Sequence, residues 1–183
     1  MTVAGLVLGA GGSKRLGEPK QLLPYRGGTL LGYVVGVARS CAFDQLVVAV
    51  GPVREGIDLD GAEVVVNDDY DQGCSSSIAA SLSVIDADVM VLMLGDQPGV
   101  TAATVRALLA GRGDSALAIC RYDDGLGHPI AFASSTFREL AALHGDKGVW
   151  KMVDRGPVTE VPVAGPIPLD VDTRADYEAV LAS

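Results

Sequence analysis

Cysteine is scarce in this 183-residue chain. The three present, Cys41, Cys74 and Cys120, are far apart and odd in number. No Cys-x-x-Cys pair or Cys/His spacing occurs, so a zinc ribbon or disulfide framework is excluded and free thiols in a reducing compartment are expected. Basic residues are outnumbered, 14 Lys and Arg against 23 Asp and Glu, giving a net charge of −9. That balance argues against duplex nucleic acid or an anionic membrane surface as partner, because phosphate contacts need Lys and Arg. Long hydrophobic runs are missing. The longest unbroken one, Val89 to Leu94, falls far short of the ~20 residues of a membrane-spanning helix. The short apolar run Leu6 to Leu8 has no basic stretch ahead of it, so no secretory signal is expected and a cytoplasmic location is. A Gly-x-Ser-x-Gly elbow is also absent, which removes that kind of serine-nucleophile chemistry.

What remains is 49% hydrophobic and 20% charged, an ordinary globular composition. A chain of this length is expected to form one domain over residues 1–183. It buries roughly 70% of its unfolded surface, so it needs no metal or disulfide in order to fold. Apolar strand-like runs at Val3–Leu8, Leu46–Val50, Glu63–Val66, Val89–Leu94, Leu117–Cys120 and Ile130–Ala133 alternate with helical patterns. Leu30, Leu31, Val34, Val35 and Ala38 share one helical face; Ile78, Ala79, Leu82 and Ile85 share another. Thr101 is placed to cap a helix carrying Val105, Leu108 and Leu109. Phe137, Leu140 and Ala141 mark a further helix, and Tyr177, Val180 and Leu181 the last. Fully apolar strands separated by helices predict a three-layer α/β/α fold around a mostly parallel, Rossmann-like sheet.

The first strand runs into GAGGSKRLGEPK at residues 9–20. A dinucleotide fingerprint from Gly9 would need glycine where Lys14 stands, and a Walker loop from Gly12 would need lysine where Glu18 stands. What is left is a glycine loop followed at once by Lys14, Arg15 and Lys20. Small residues let backbone N–H groups approach phosphate oxygens, and the basic side chains neutralise a polyphosphate; the alternative is a solvated turn.

Three other segments could serve the same chemistry. Gly73 followed by Ser75, Ser76 and Ser77 opens a helix and offers N–H groups and hydroxyls to a phosphate, ribose or base edge, or else Ser75 or Ser76 simply caps that helix. Asp96 follows the strongest strand, where open α/β sheets bind ligands and where a carboxylate can hold Mg²⁺, or else it bonds its own turn. In DVDTRADY at 170–177, Thr173 or Asp172 can cap the last helix.

Leu8, Gly11, Ser13, Arg15, Gly17, Pro19 and Lys20 match LxxGxSxRxGxPK, which resembles the signature of the molybdopterin nucleotidyltransferases, the MobA-like NTP transferases. The resemblance continues in order through Asn67 and Gly73 to Ser77, Gly-Asp-Gln-Pro at Asp96, Gly127-His128-Pro129, Gly-Asp-Lys-Gly at Lys147 and Asp-x-Asp-Thr at Asp172. It implies a nucleotidyltransferase fold and a Mg²⁺-dependent reaction, with Mn²⁺ as a substitute. Leu8, Gly9, Ala10, Gly11, Gly12, Ser13 and Lys14, with Asn67, Gly73, Ser75, Ser76 and Ser77, would hold a nucleoside triphosphate. Arg15, Lys20 and Asp96 would act on its phosphates, and Asp96 and Asp172 would hold the metal, with Asp170 less favoured. Gly127, His128 and Lys147 would face the acceptor. Trp150, Tyr25 and Tyr122 are given no role.

The alanine at the third position of Leu8-Gly9-Ala10-Gly11 is similar to the cytidylyltransferase branch. The resemblance therefore implies CMP transfer from CTP to a molybdopterin-type phosphate, serving a molybdenum hydroxylase client. Two rivals stay open: a guanylyl or other small-phosphate transferase on the same scaffold, and a non-catalytic protein that carries a nucleotide or cofactor to an oxidoreductase.

Overall fold

Six apolar residues in a row, Val89–Leu94, form a strand that is buried on both faces for most of its length. A computed structural model describes residues 1–13, 15–145 and 148–183, so the expectations placed on Lys14 and Lys147 lie outside the described residues. This strand is β6. It pairs in parallel with β1 (Val3–Gly9), which pairs in parallel with β4 (Gln45–Val50), and β5 (Glu63–Val66) completes that edge. On the other side β8 (Gly125–Ala133) runs antiparallel to β6 and to β7 (Leu117–Tyr122), and β9 (Thr159–Pro162) pairs in parallel with β7. The order is β5-β4-β1-β6-β8-β7-β9, seven strands of which only β8 opposes its neighbours. The predicted mostly parallel sheet is what forms.

Strand side chains alternate between faces, and each face carries its own core. Val7, Val48 and Val91 pack with Leu31, Val34 and Val35 of α1 (Leu30–Ser40) and with Val105 and Leu108 of α3 (Ala102–Arg112). Their chain neighbours Leu6, Val47 and Met90 point the other way. These meet Ile78 of α2 (Cys74–Leu82), Leu140 of α4 (Phe137–Ala141), and Val149, Met152 and Val153 of α5 (Gly148–Arg155). Each large apolar side chain fully buried in these cores contributes ~1.5–3 kcal/mol. Helices on both faces of one sheet make the three layers.

A third, smaller core explains the position of the C-terminal segment. The hairpin of β2 (Pro24–Tyr25) and β3 (Gly28–Thr29) packs Leu23 and Tyr25 against Val171, Tyr177 and Val180 of the segment that ends in α6 (Arg174–Leu181). Thr173 accepts from the Asp176 N–H and the Asp176 carboxylate accepts from the Thr173 N–H, a complete capping box. Thr101 likewise caps α3, as predicted.

The structure departs from the sequence expectations in several places. α2 ends at Leu82, so Ile85 lies beyond it; Ile78 is buried and Leu82 and Ile85 pack half-buried against the same core as expected, while Ser75, Ser77 and Ser81 are buried as well. Its cap position is Gly73, with φ 98°, and no side chain caps it. Ser75 and Ser76 sit inside the first turn, so neither is the cap. β8 begins at Gly125, which places Gly127 and His128 in a strand. The hairpin, α5 and β9 were not anticipated. Leu181 is 54% exposed and faces away from the last helix's core.

Candidate active site

The carboxyl ends of β1 and β6 open onto a cleft of about 530 Å³. Gly95 lets these two strand ends close up: its N–H donates to the Leu8 carbonyl at 2.8 Å, and a Cβ there would lie 2.8 Å from that same oxygen. The glycine loop forms one wall, with Leu8, Gly9, Ala10, Gly11, Gly12, Ser13 and Arg15 all lining it.

The loop is held by a residue from outside it. Gln21 is buried, and its Nε2 donates to the carbonyls of Gly9 at 2.9 Å and Gly11 at 2.6 Å. Ser13 turns its hydroxyl inward, where it accepts the Lys20 backbone N–H at 2.9 Å. Sequence reasoning missed Gln21, because a glutamine after a lysine reads as surface. Its place directly behind Pro19-Lys20 was the one available signal.

Across the loop, Lys20 reaches between two carboxylates. Its ammonium lies 2.5 Å from Asp96 and 2.8 Å from Asp172. Arg15, far more exposed, meets Asp172 at 2.5 Å. Asp172 is brought beside Asp96 by two bonds to backbone carbonyls: the Val171 N–H donates to the Asp96 carbonyl at 3.0 Å, and the Nε2 of the buried Gln97 side chain donates to the Pro168 carbonyl at 3.1 Å. Desolvation lowers the Lys20 pKa, but Asp96 and Asp172 outweigh it and the ammonium is held above its ordinary value. For Asp172, desolvation is likewise outweighed by Lys20 and Arg15, and the carboxyl is held below its ordinary value. Asp170 behaves differently: desolvation, with the charges of Asp96 and Asp172, pushes its carboxyl up to about 6.

Among the described residues, no group of three or more His, Cys, Asp or Glu side chains is gathered as a metal site. What the cleft does contain is two carboxylates converging on one cationic atom, the Lys20 Nζ. Hard oxygen donors of that kind, with space beside them for water and phosphate oxygens, suit Mg²⁺ or Mn²⁺. The residues fit a divalent metal.

On the far side, the cap residue Gly73 and, from α2, Cys74 and Ser77 join the lining. Asn67, Ser75 and Ser76 do not line the cleft; they brace it. The buried Asn67 amide donates to the hydroxyls of Ser76 at 2.8 Å and Ser77 at 2.9 Å. The Ser75 hydroxyl donates to the Gly145 carbonyl at 2.6 Å, and the Ser76 hydroxyl to the Gly73 carbonyl at 2.8 Å. His128 lines the cleft beside Trp150, the two rings edge-to-face at 5.9 Å. Burial pushes the His128 imidazole down to about 4, so it is neutral at physiological pH. Gly127 does not line the cleft, and a Cβ there would press on Tyr122 and Ile167. Tyr70, Asp71 and Trp150 are lining residues that the sequence did not mark.

Residues 5–161 match the family model described as the MobA-like NTP transferase domain. The chain belongs to the MobA-like NTP transferase family. The Rv0371c crystal structure from Mycobacterium tuberculosis H37Rv is 49% identical with a TM-score of 0.94, covering 100% of this chain and 98% of that one. Another structure of Rv0371c is a complex with manganese, 46% identical with a TM-score of 0.89 and full coverage of both chains. Among curated proteins, the nicotine blue oxidoreductase of Paenarthrobacter nicotinovorans is 29% identical over 80% of this chain and 78% of its own length. The purine catabolism protein PucB of Bacillus subtilis is 26% identical over 96% of this chain and 94% of its own. The fold is also that of CMP:2-keto-3-deoxy-manno-octonic acid synthetase, at a TM-score of 0.83 and 17% identity over 100% of this chain and 98% of that one. As an MobA-like NTP transferase, the chain has the nucleotidyltransferase fold, and Asp172 enters the cleft from beyond the matched segment. No described helix is long and apolar enough to cross a membrane.

Proposed function

We propose that this protein is a divalent-metal-dependent nucleotidyltransferase that transfers CMP from CTP to the phosphate of a molybdopterin-type acceptor and releases pyrophosphate. The observation that carries the reading is the meeting of Lys20, Asp96 and Asp172 at the mouth of a glycine-walled cleft. Phosphoryl chemistry of this kind rests on positioning and charge neutralisation, not on a protein nucleophile. The glycine loop and Ser77 hold the nucleotide, and Lys20 and Arg15 hold its phosphates. Asp96 and Asp172 hold the metal, which supplies Lewis acidity and orientation at the α-phosphate when bound. An oxygen of the acceptor phosphate forms the new bond to the α-phosphorus, and the bond to the pyrophosphate oxygen breaks in line with it. The acceptor brings its own anionic nucleophile, so no strong general base is required. His128, neutral and beside the cleft, faces the acceptor side, with Lys147 assigned there by resemblance alone.

The choice of cytidine rests on the Ala10 position of the loop and on the Gly-Asp-Gln-Pro and Asp-x-Asp-Thr segments. The molybdenum hydroxylase client is an extension of the same resemblance. Calorimetric titration with CTP, GTP, ATP and UTP in the presence of Mg²⁺ tests the base. CTP is expected to bind at least ten-fold tighter than the others. A preference for GTP keeps the chemistry and overturns the base. A second reading, a non-catalytic carrier of nucleotide or cofactor to an oxidoreductase, draws support from one relative being named nicotine blue oxidoreductase. Pyrophosphate release with any acceptor phosphate eliminates it.

A further inference from the structure

Of the two carboxylates read as metal holders, Asp96 follows a buried strand, whereas Asp172 lies beyond residues 5–161 and on no helix or strand. It arrives on an irregular strap, residues 163–173, between β9 and α6. Irregular chain has no hydrogen-bond ladder of its own, so the bonds that dock it set its place. Two of them reach the turn between β7 and β8: the Gly165 N–H donates to Asp123 at 3.1 Å and the Ile167 N–H to Asp124 at 2.8 Å. Further along, the Val171 N–H donates to the Asp96 carbonyl at 3.0 Å, and the Val171 side chain enters the third core. Between these points stands Gln97, whose Nε2 donates to the Pro168 carbonyl at 3.1 Å. Gly99 permits the approach, since a Cβ there would lie 3.1 Å from the Pro168 Cβ. The Gln97 amide also faces Asp170: desolvation pushes that carboxyl up to about 6, and the amide acts against the shift. Both polar contacts of this side chain therefore fall on the strap.

Gln97 is only 2% exposed, and its Oε1 accepts no hydrogen bond from any described residue. A buried acceptor without a partner lowers stability, and an apolar side chain of the same length would not carry that penalty. A residue that is unfavourable for folding where it stands is explained by what its other end does. We propose that Gln97 is a positioning residue for the metal site: it docks the strap so that Asp172 is held beside Asp96, and it lowers folding stability in doing so. The proposal rests on the nucleotidyltransferase reading above, in which these two carboxylates hold the metal, and adds the residue that sets their placement. Groups that orient metal-binding carboxylates from behind have strong effects on metal affinity. The sign of the stability effect separates this role from packing, because a packing residue stabilises the fold and Gln97 does not.

The test is Gln97→Met, which keeps the length of the side chain and removes both the donor and the unpaired acceptor. Pro168 is half-buried, so its carbonyl can turn to water. The midpoint of urea unfolding is expected to hold or rise. Mn²⁺ binding with CTP present, followed by electron paramagnetic resonance, is expected to weaken about ten-fold. Exchange of the Val171 amide hydrogen, read by NMR, is expected to quicken about ten-fold while the Val91 and Leu92 amides of β6 keep their rates. An unchanged Mn²⁺ affinity or an unchanged Val171 rate overturns the positioning role. So does a loss of Mn²⁺ affinity that comes with a lowered midpoint and faster exchange throughout β6, which is the result a packing role gives. Asp172→Asn is the control on the underlying reading. If it loses CTP-enhanced Mn²⁺ binding, the metal site stands whatever Gln97→Met shows; if it retains that binding, both are overturned.

Discussion

The loop after β1 and the turn into α2 are both led by glycine, both carry serine, and both border the same cleft, but their side chains are used differently. In the loop, the Gly9 and Gly11 carbonyls are held by Gln21, outside the glycine run, the single serine Ser13 adds a bond to the Lys20 N–H, and six successive residues from Leu8 to Ser13 line the cavity. In the turn, the serines themselves do the bracing. Ser75 bonds Gly145, Ser76 bonds Gly73, and Asn67 ties Ser76 and Ser77 together, so only Gly73, Cys74 and Ser77 reach the lining. A glycine-serine pattern therefore indicates a position beside the ligand, and the partners of its hydroxyls decide whether it contacts the ligand or supports the wall.

The largest effect is expected at the cation that crosses from the loop to the carboxylates. Lys20→Met removes a charged donor to phosphate and should weaken CTP binding on the order of 10- to 100-fold. The same change vacates the space between Asp96 and Asp172, so Mn²⁺ should bind the nucleotide-free variant tighter than the unmodified protein. Calorimetry with each ligand separately checks both directions. Next comes the brace. Gln21→Ala leaves the Gly9 and Gly11 carbonyls without that donor, which costs about 1–3 kcal/mol in denaturant unfolding. It should also weaken CTP binding about ten-fold through loss of loop preorganisation.

His128, in the lining of the cleft, has its own signature in pH. The His128 imidazole falls from 6.5 to about 4 on burial. The unfolded chain therefore binds the proton that the native protein refuses, and this stabilising contribution is full above pH 6.5 and is lost as pH falls towards 4. At pH 5.5 the loss is on the order of 1 kcal/mol. A His128→Phe variant should lack that slope when unfolding is compared with the unmodified protein at pH 7.5 and 5.5. The smallest effect belongs to the α2 turn: Ser76→Ala should cost about 1 kcal/mol of stability and change CTP affinity less than two-fold. A large loss of CTP affinity in Ser76→Ala, with none in Gln21→Ala, would reverse the contrast between the two segments.

Much of the fold was legible because burial on both faces demands unbroken apolar strands. Val89–Leu94 matches its predicted bounds, and Leu30 to Ala38 lies within α1. α5 escaped notice because Val149, Met152 and Val153 are spread over barely two turns among charged residues, and β9 because it buries Val161 alone. The carboxylates Asp96 and Asp172 were legible from their motifs, and the structure brings them to one ammonium. Gln21 and Trp150 were not, for a shared physical reason. Each owes its place to packing between elements distant in sequence, Gln21 under the end of β1 and Trp150 on α5 against β8, and neither residue type announces that in isolation.

The central claim is that Asp96 and Asp172 form a metal site completed by the nucleotide. The direct measurement is Mn²⁺ titration followed by electron paramagnetic resonance, with and without CTP, for the unmodified protein, Asp96→Asn and Asp172→Asn. The account predicts that CTP tightens Mn²⁺ binding at least ten-fold beyond what CTP binds in solution, and that each variant abolishes this gain. Retention of CTP-enhanced Mn²⁺ binding in both variants would contradict it.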